Sequence, residues 1–376
     1  MSKRKKIIFF VTEDWYFFSH RLPLAVAAKE AGYDVSVITR VKKLGDEIKK
    51  SGIKVIPLTL SRRGKNVFKE LNVLWQLIKI YKNEKPDIVH HVALKPVLYG
   101  SAIAHLLKVP YVVNALPGLG ILFSSLDYKY KFIRPLVLFL IRVFGNRKNC
   151  RMILQNPDDV ELIRRKAMAD SRICLIRGSG VDTNKYQMKK EVSGDIMVIL
   201  ASRLLWEKGV GEFVSAAKQI NKKNIAVRFV LVGRSDYHNP SSIPEKQLKE
   251  WHEQGIVEWW GLRSKMENIF TQSHIVCLPT MYREGVPKVL IEAASCGKPI
   301  ITTDSPGCRE IVQDGINGIL VPTKDSKALE KAILKLVKSP NLRETMGKKG
   351  RDLVLREFSL EIVNKETLSV YANFYN

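Results

Sequence analysis

Cysteine is scarce, five in 376 residues with none in a C-x-x-C pair, so no disulfide framework organises a chain this long and reduced thiols are expected. Long apolar runs are missing as well. No segment reaches the roughly 18–20 uncharged apolar residues that span a bilayer. The nearest, 132–144, carries Arg134 and Arg142 and can lie in an interface but not cross one. The basic start, Met1 to Lys6, leads into an apolar run too short for a signal-peptide core and without a small-residue cleavage site. It reads as a first strand, and the expected location is cytoplasmic.

Acid is the other shortage. The chain holds 62 Lys and Arg against 37 Asp and Glu, a net charge of +25; residues 1–188 contain 34 of the cations and 15 of the acids, so that half carries +19 and the rest +6. A half this basic favours an anionic ligand or surface, whether phosphorylated lipid, anionic membrane or nucleic acid. A nucleic-acid-binding protein would explain the charge, but no zinc-ligand spacing, aromatic RNA-recognition motif or other module signature accompanies it, and nucleic acid is not an expected partner. The 45% hydrophobic content, spread over recurring short runs, is that of a globular chain, and the length suits two domains.

Those short runs alternate with helix-period segments, the signature of βα units building parallel sheets. Strands are predicted to begin near Lys6, Asp34, Lys54, Asp87, Tyr111, Arg151 and Arg172, with helices that include 22–31, ended by Gly32, and 67–82, ended before Pro86. After a polar stretch, 182–194, the pattern restarts with strands near Ile196, Val227, Val257, Ile275, Pro299 and Gly318 and helices over 210–220, 265–273, 287–295, 326–339 and 342–358. The expected fold class is α/β, with two doubly wound, Rossmann-like domains over 1–188 and 189–358. Residues 359–376 form a C-terminal helix expected to pack back on the first domain. Ligands of such sheets bind beyond the carboxyl ends of the strands, so residues just after strands become candidates for chemistry.

The most specific segment is Tyr282-Arg283-Glu284-Gly285-Val286-Pro287-Lys288-Val289-Leu290-Ile291-Glu292-Ala293. It follows the strand predicted at 275–279. Pro287 suits a first helical position, where its missing N–H costs nothing, and the N–H groups near Gly285 and Val286 are placed to meet an anion at the helix start. Glutamates at this spacing could equally be solvated helix residues. The context argues otherwise, because 297–310 and 314–318 read as helix stop, strand, Gly-containing turn, helix and strand. With that context, the E-G-x-P-x-x-x-x-E pattern resembles the nucleotide-sugar signature of glycosyltransferase family 4, over nearly all of 196–322.

The resemblance implies the GT-B fold, in which two Rossmann-like domains face across a cleft, and a retaining transfer of sugar from a nucleotide diphosphate to an acceptor hydroxyl. It implies that Glu284 faces the transferred sugar as a catalytic residue, that Glu292 binds the ribose hydroxyls, and that Gly285, Val286 and Pro287 belong to the donor site. Arg203 and Lys208, in Ala201-Ser202-Arg203-Leu204-Leu205-Trp206-Glu207-Lys208-Gly209 after the strand near Ile196, stand in the place of the family's Arg and Lys. A departing nucleoside diphosphate gathers negative charge, which needs a metal or fixed cations. Asp-x-Asp occurs nowhere in the chain, so Arg203 as a planar fork and Lys208 as a point charge would supply it, with no metal or other cofactor. Without that position in the fold, two cations after a strand would be ordinary surface. Gly261, Leu262 and Arg263, after 257–260, would receive the base or serve only as a helix-entry turn.

The first half would bind the acceptor. Residues 12–21 follow the first strand, where the family often has a glycine-rich loop, but no glycine stands there, so that contact is not carried over; Arg21 remains a candidate for holding phosphate. His90 and His91 end the fourth strand, and alternation lets only one face the cleft. His91 is favoured as a catalytic histidine, against an ordinary structural role. Lys95 and the glycines Gly118 and Gly120 of N-A-L-P-G-L-G complete the acceptor candidates. Within 128–151, Lys129, Lys131, Arg134 and Arg142 surround Phe132, Leu136 and Phe139. Such a helix can lie on anionic lipid with its cations at the headgroups, or pack in the domain with a solvated basic edge.

At finer grain, the segments P-G-L-G, R-L-L-W-E-K-G and Y-R-E-G-V-P-K-V-L-I-E together resemble bacterial enzymes that extend undecaprenyl-diphosphate-linked sugars with a UDP-N-acetylhexosamine. The expected partners are a UDP-sugar donor, a polyprenyl-diphosphate glycolipid acceptor and an anionic membrane surface, with the enzyme peripheral on the cytoplasmic face of the inner membrane. The alternatives are a family 4 transferase acting on a soluble or lipopolysaccharide-core acceptor, and a GT-B-shaped sugar-nucleotide epimerase.

Overall fold

Parallel pairing joins the named strands of the computed structural model, which describes residues 4–60, 66–124, 128–237 and 239–375; at Ile121, Ser124 and Lys129 the backbone alone is described. The chain divides into two units, Met1–Gly180 with Leu360–Asn376, and Val181–Ser359. The division thus falls at Gly180, just before the polar stretch, and the closing segment belongs to the first unit.

The first unit is built on a sheet ordered β3-β2-β1-β4-β5-β6-β7. Its strands are β1 (Lys6–Glu13), β2 (Asp34–Arg40), β3 (Lys54–Pro57), β4 (Ile88–Val92), β5 (Tyr111–Leu116), β6 (Cys150–Leu154) and β7 (Ile173–Leu175). They are joined through α1 (Asp14–His20), α2 (Leu22–Glu30), α3 (Gly45–Lys50), α4 (Val67–Glu84), α5 (Leu94–Leu106), α6 (Ile121–Ser124), α7 (Tyr128–Gly145) and α8 (Pro157–Lys166). Every residue of β4 is buried, which is why the central strands read as continuous apolar runs: a parallel sheet is covered on both faces. Helix α5 packs against both α4 and α7, so these three form one layer. No glycine-rich loop follows β1, because α1 starts at the next residue. Asp14 instead accepts the backbone N–H groups of Lys42, Lys43 and Leu44 at 2.7, 2.9 and 3.0 Å, fixing the turn after β2.

The second unit has the sheet order β10-β9-β8-β11-β12-β13, from β8 (Ile196–Ala201), β9 (Val227–Val232), β10 (Glu258–Gly261), β11 (Ile275–Leu278), β12 (Ile300–Thr303) and β13 (Gly318–Val321). Its helices are α9 (Val210–Asn221), α10 (Glu245–Glu253), α11 (Met266–Gln272), α12 (Lys288–Ser295), α13 (Pro306–Ile311), α14 (Ser326–Val337) and α15 (Pro340–Glu357). Val198 and Leu200 enter the core on one face of the sheet, and Met197 and Ile199 the core on the other. The last helix, α16 (Leu360–Ala372), returns to the first unit, where Val363, Val370 and Tyr371 join a core with Phe9 and Leu24.

Both sheets reverse their strand order once, between β1 and β4 in the first unit and between β8 and β11 in the second. Such a switch point splays the loops on either side apart and leaves a crevice at the carboxyl ends of the strands.

Candidate functional site

The predicted donor residues of the second unit come from the loops that flank its switch point. After β8 the chain passes through a 3-10 turn, Trp206–Lys208, and Gly209 then opens α9 at φ 75°. Only glycine fits there: the left-handed conformation disfavours a side chain, and a Cβ would collide with the carbonyl of Pro279. This close approach brings the loop after β8 against the loop after β11. Lys208 Nζ consequently lies 2.5 Å from Glu284 Oε2, with both side chains largely covered. Thr280 completes the arrangement, its hydroxyl 3.0 Å from Glu284 Oε1 and 3.1 Å from the carbonyl oxygen of Glu207. Arg203, in the same loop as Lys208, is more open and pairs through a guanidinium nitrogen with Asp236 Oδ2 at 3.2 Å. Neither Thr280 nor Asp236 was singled out by the sequence pattern; only their positions after β11 and β9 could have pointed to them.

Helix α12 begins one residue later than predicted. Pro287 occupies the capping position with extended backbone, and Lys288 is the first helical residue. Gly285, Val286 and Pro287 are buried, and the Val286 side chain packs in a core of the second unit. Gly307 of α13 packs so closely on the Gly285 carbonyl that a Cβ would not fit between them. Glu292 lies one turn into α12, with Lys288 Nζ 3.6 Å from its Oε1. It also shares a hydrogen bond with the phenol of Tyr186, a residue that no sequence motif selects. Burial pushes the Glu292 carboxyl above the ordinary carboxylate range, while Lys288 and the Tyr186 hydrogen bond work against that rise. Tyr186 is itself held in place, since its carbonyl oxygen accepts from Ser295 Oγ at 2.6 Å and Arg351 at 2.7 Å.

Gly261 ends the edge strand β10, two strands and about 10 Å away from β8, and Leu262 and Arg263 follow it. The carbonyl of Gly261 is taken by the N–H of Gly233 at 2.9 Å, while Leu262 and Arg263 are exposed.

In the first unit the two histidines face opposite sides of the sheet, as alternation requires. His91 faces the layer of α4 and α5, fully buried. Its Nδ1 lies 2.8 Å from Asn114 Oδ1, and its Nε2 2.9 Å from the Tyr81 hydroxyl. Because Asn114 Oδ1 can only accept, Nδ1 carries the proton and Nε2 accepts from Tyr81. Asn114 Oδ1 also accepts from Ser101 at 3.0 Å. Burial lowers the His91 pKa to about 4, partly offset by the Asn114 hydrogen bond. Both ring nitrogens of His91 are thus engaged inside the fold, an arrangement that suits the structural role weighed against the catalytic one. His90 points to the opposite face, stacked on Phe9 and 2.5 Å from the Tyr371 hydroxyl of α16. Arg21, expected to reach phosphate, is only 4% exposed and sits close to His90 and Tyr371: burial and then the Arg21 charge lower the His90 pKa, whereas burial raises that of Tyr371 and Arg21 opposes the rise.

Lys95 is held by Glu70 of α4 at 2.7 Å, and Glu70 also accepts from Tyr99 at 2.9 Å. Gly118 and Gly120 stand in the loop after β5, both at positive φ, with Leu119 N–H donating to Asp159 at 3.3 Å between them. These elements follow the neighbouring strands β4 and β5. Ala93, between β4 and α5, has φ 79° and ψ 162°, a conformation costly for any residue with a side chain. On α7, Lys131 and Arg142 are exposed, but Arg134 is half-buried and donates to the Leu122 carbonyl; the Lys129 side chain lies outside the described part. Among the described residues no helix is long and apolar enough to cross a membrane.

Known proteins are similar to this chain in sequence and fold. Residues 6–149 match the family described as Glycosyl transferase 4-like, and residues 182–353 match Glycosyl transferases group 1. The N,N'-diacetylbacillosaminyl-diphospho-undecaprenol alpha-1,3-N-acetylgalactosaminyltransferase of Campylobacter jejuni is 28% identical over 367 residues, covering 94% of this chain and 95% of its own. The UDP-Gal:alpha-D-GlcNAc-diphosphoundecaprenol alpha-1,3-galactosyltransferase of Escherichia coli is 25% identical over 311 residues, covering 79% and 78%. Among solved structures, a Rickettsia africae glycosyltransferase is similar in fold at a TM-score of 0.79 and 19% identity, covering 100% of this chain and 99% of that one. Anabaena HepE in complex with UDP reaches 0.80 at 16% identity, covering 98% and 100%.

The protein is therefore a glycosyltransferase of the GT-B class, and more narrowly a hexosyltransferase. It belongs to family 4 and is like the bacterial transferases that build lipid-linked glycans.

Proposed function

We propose that this enzyme is a retaining, metal-independent transferase that moves an N-acetylhexosamine from a UDP donor to a polyprenyl-diphosphate-linked sugar, working at the cytoplasmic face of an anionic membrane. The observation that carries the reading is the pairing of Lys208 with Glu284 across the switch point of the second sheet, joined to similarity over 94% of the chain with a Campylobacter enzyme whose name specifies N-acetylgalactosaminyl transfer to a diphospho-undecaprenol-linked sugar. In this reading Arg203 and Lys208 hold the diphosphate, Glu292 the ribose, Glu284 the donor sugar, and Gly261 to Arg263 the base, with Gly285, Val286 and Pro287 shaping the donor pocket.

Transfer breaks the bond from the anomeric carbon to the diphosphate oxygen and forms one to the acceptor oxygen, whose proton is released. The electron pair of the broken bond stays on UDP. Fixed cations that need no reorganisation at that moment stabilise the developing charge. An incoming diphosphate would compete with Glu284 for Lys208, which stands ready beside the sugar's position. The acceptor's own diphosphate suits the basic first unit.

The decisive test is a mass-spectrometric screen of nucleotide sugars against a polyprenyl-diphosphate-linked sugar, with EDTA present. One defined glycolipid from a UDP-N-acetylhexosamine is the expected product. An altered donor sugar formed without acceptor would replace transfer by epimerisation, and loss of turnover in EDTA with rescue by Mg2+ would overturn metal independence.

A further inference from the structure

Helix α4 carries a feature that its sequence pattern does not separate from ordinary amphipathicity. Val73, Leu77 and Tyr81 face the core, yet Val67, Phe68, Leu71 and Trp75 form a second apolar stripe that points to solvent, with Phe68 81% exposed. Helix α7 has a matching stripe of Tyr128, Phe132, Leu136, Phe139 and Val143, with Phe132 79% exposed. Exposed apolar residues scattered singly are normal, but contiguous stripes mark an interaction surface. The two helices lie in one layer on either side of α5. Each is entered from the carboxyl end of a strand, α4 after β3 and α7 after β5, so both stripes run from the edge of the sheet where ligands of this fold class bind.

Charge identifies the occupant. Both acids of α4 are turned to neighbours: Glu70 accepts from Lys95 and Tyr99, and Glu84 accepts from Lys54 at 2.7 and 2.9 Å. What remains toward solvent beside the stripe is Lys69, Lys79 and Lys82, and α7, which has no acid, adds Lys131 and Arg142. Lys79 Nζ stands 3.3 Å over the Trp75 ring, pairing an apolar plate with a cation as interfacial helices do. A second copy of this face would bring like charges together, whereas anionic lipid satisfies both the cations and the apolar stripe.

We infer that α4 is a membrane-inserting element: Phe68, Leu71 and Trp75 enter the acyl boundary of an anionic bilayer, and together with α7 they form a two-helix contact that holds the acceptor edge of the first unit at the membrane. This rests on the lipid-linked acceptor proposed above, although its test does not depend on turnover. The full-length protein is sedimented with phosphatidylcholine vesicles and with vesicles containing about one-third phosphatidylglycerol. The triple variant Phe68→Gln, Leu71→Gln, Trp75→Gln should lose at least about tenfold in partitioning onto the anionic vesicles, with an unchanged thermal midpoint because the three side chains are exposed. Bromine-labelled acyl chains should quench the wild type more than Trp75→Phe, whose difference reports that ring alone. Equal partitioning of the triple variant, or equal quenching, overturns the assignment of α4. Failure of the wild type to bind either vesicle overturns it in favour of an acidic protein partner. Any of these negative results beside a positive donor screen leaves the lipid-linked acceptor standing, and a failed screen beside lipid binding removes the acceptor alone.

Discussion

Glu284 and Glu292 belong to one loop-helix segment yet meet different surroundings, and the difference separates their expected roles. Glu284 is held by a cation and a hydroxyl at the switch point, where the sugar would sit. Glu292 is buried against Lys288 and Tyr186. Glu292→Ala should chiefly raise the KM for donor, whereas Glu284→Ala should lower kcat more. Losing a hydrogen bond to a charged carboxylate costs about 1.5–3 kcal/mol, roughly ten- to a hundredfold in the affected constant; steady-state kinetics with wild-type values in both variants would sink the donor assignment. Tyr186 gives a finer check. Burial raises the Glu292 pKa and the tyrosine hydrogen bond lowers it, so Tyr186→Phe should shift the acid limb of the donor-KM profile toward higher pH while kcat changes less. A role confined to packing would leave that midpoint where it was.

At the scale of elements, the Tyr81–His91–Asn114–Ser101 network ties α4, β4, β5 and α5 together through buried hydrogen bonds. Its linkage to pH has a definite sign. The folded-state pKa of His91 is about 4 against an ordinary 6.5, so the neutral ring contributes stability that is complete above pH 6.5 and is lost as pH falls toward 4. The full loss is about 3 kcal/mol. Thermal midpoints should therefore drop across that window, and His91→Gln should shrink the drop while costing about 1–3 kcal/mol at neutral pH through unpaired neighbours. If His91→Gln instead abolished turnover of a folded protein, the catalytic role would hold over the structural one. This strand also shows what a sequence can and cannot disclose. Burial on both faces leaves β4 without the apolar–polar alternation of a half-exposed strand, and it hid which histidine faces where, because neither side of a covered sheet is marked by polarity. The strand starts, the switch-point loops and the E-G-x-P-x-x-x-x-E segment were legible because local composition dictates them. Helix α1 was not, since Trp15 to Phe18 is too short an aromatic cluster to show a helical period. The Lys95–Glu70 pair, the Tyr186–Glu292 bond and the buried Arg21 were hidden because tertiary packing joins residues far apart in sequence.

For the molecule as a whole, the charge imbalance acquires a direction once the helices are in place. Residues 1–188 carry +19 of the +25, and among the described side chains of α7 the exposed cations are Lys131 and Arg142, while Arg134 is committed to the Leu122 carbonyl. Each basic side chain near an anionic surface contributes about 1 kcal/mol. Lys131→Gln with Arg142→Gln should then weaken vesicle binding by about 2 kcal/mol, or some thirtyfold. Salt acts on the same interaction, since exposed charges are screened beyond a Debye length that shrinks from about 10 Å at 0.1 M to about 3 Å at 1 M. Raising salt should weaken the wild type more than the double variant, while the apolar contribution of Phe68, Leu71 and Trp75 persists. Activity completes the comparison. Turnover of a long-chain acceptor in anionic vesicles should fall with binding in the double variant, and turnover of a short-chain soluble acceptor should fall much less, because the latter needs no surface. Equal loss on both acceptors would point to damage within the fold, and equal salt dependence of the two proteins would remove Lys131 and Arg142 from the membrane contact.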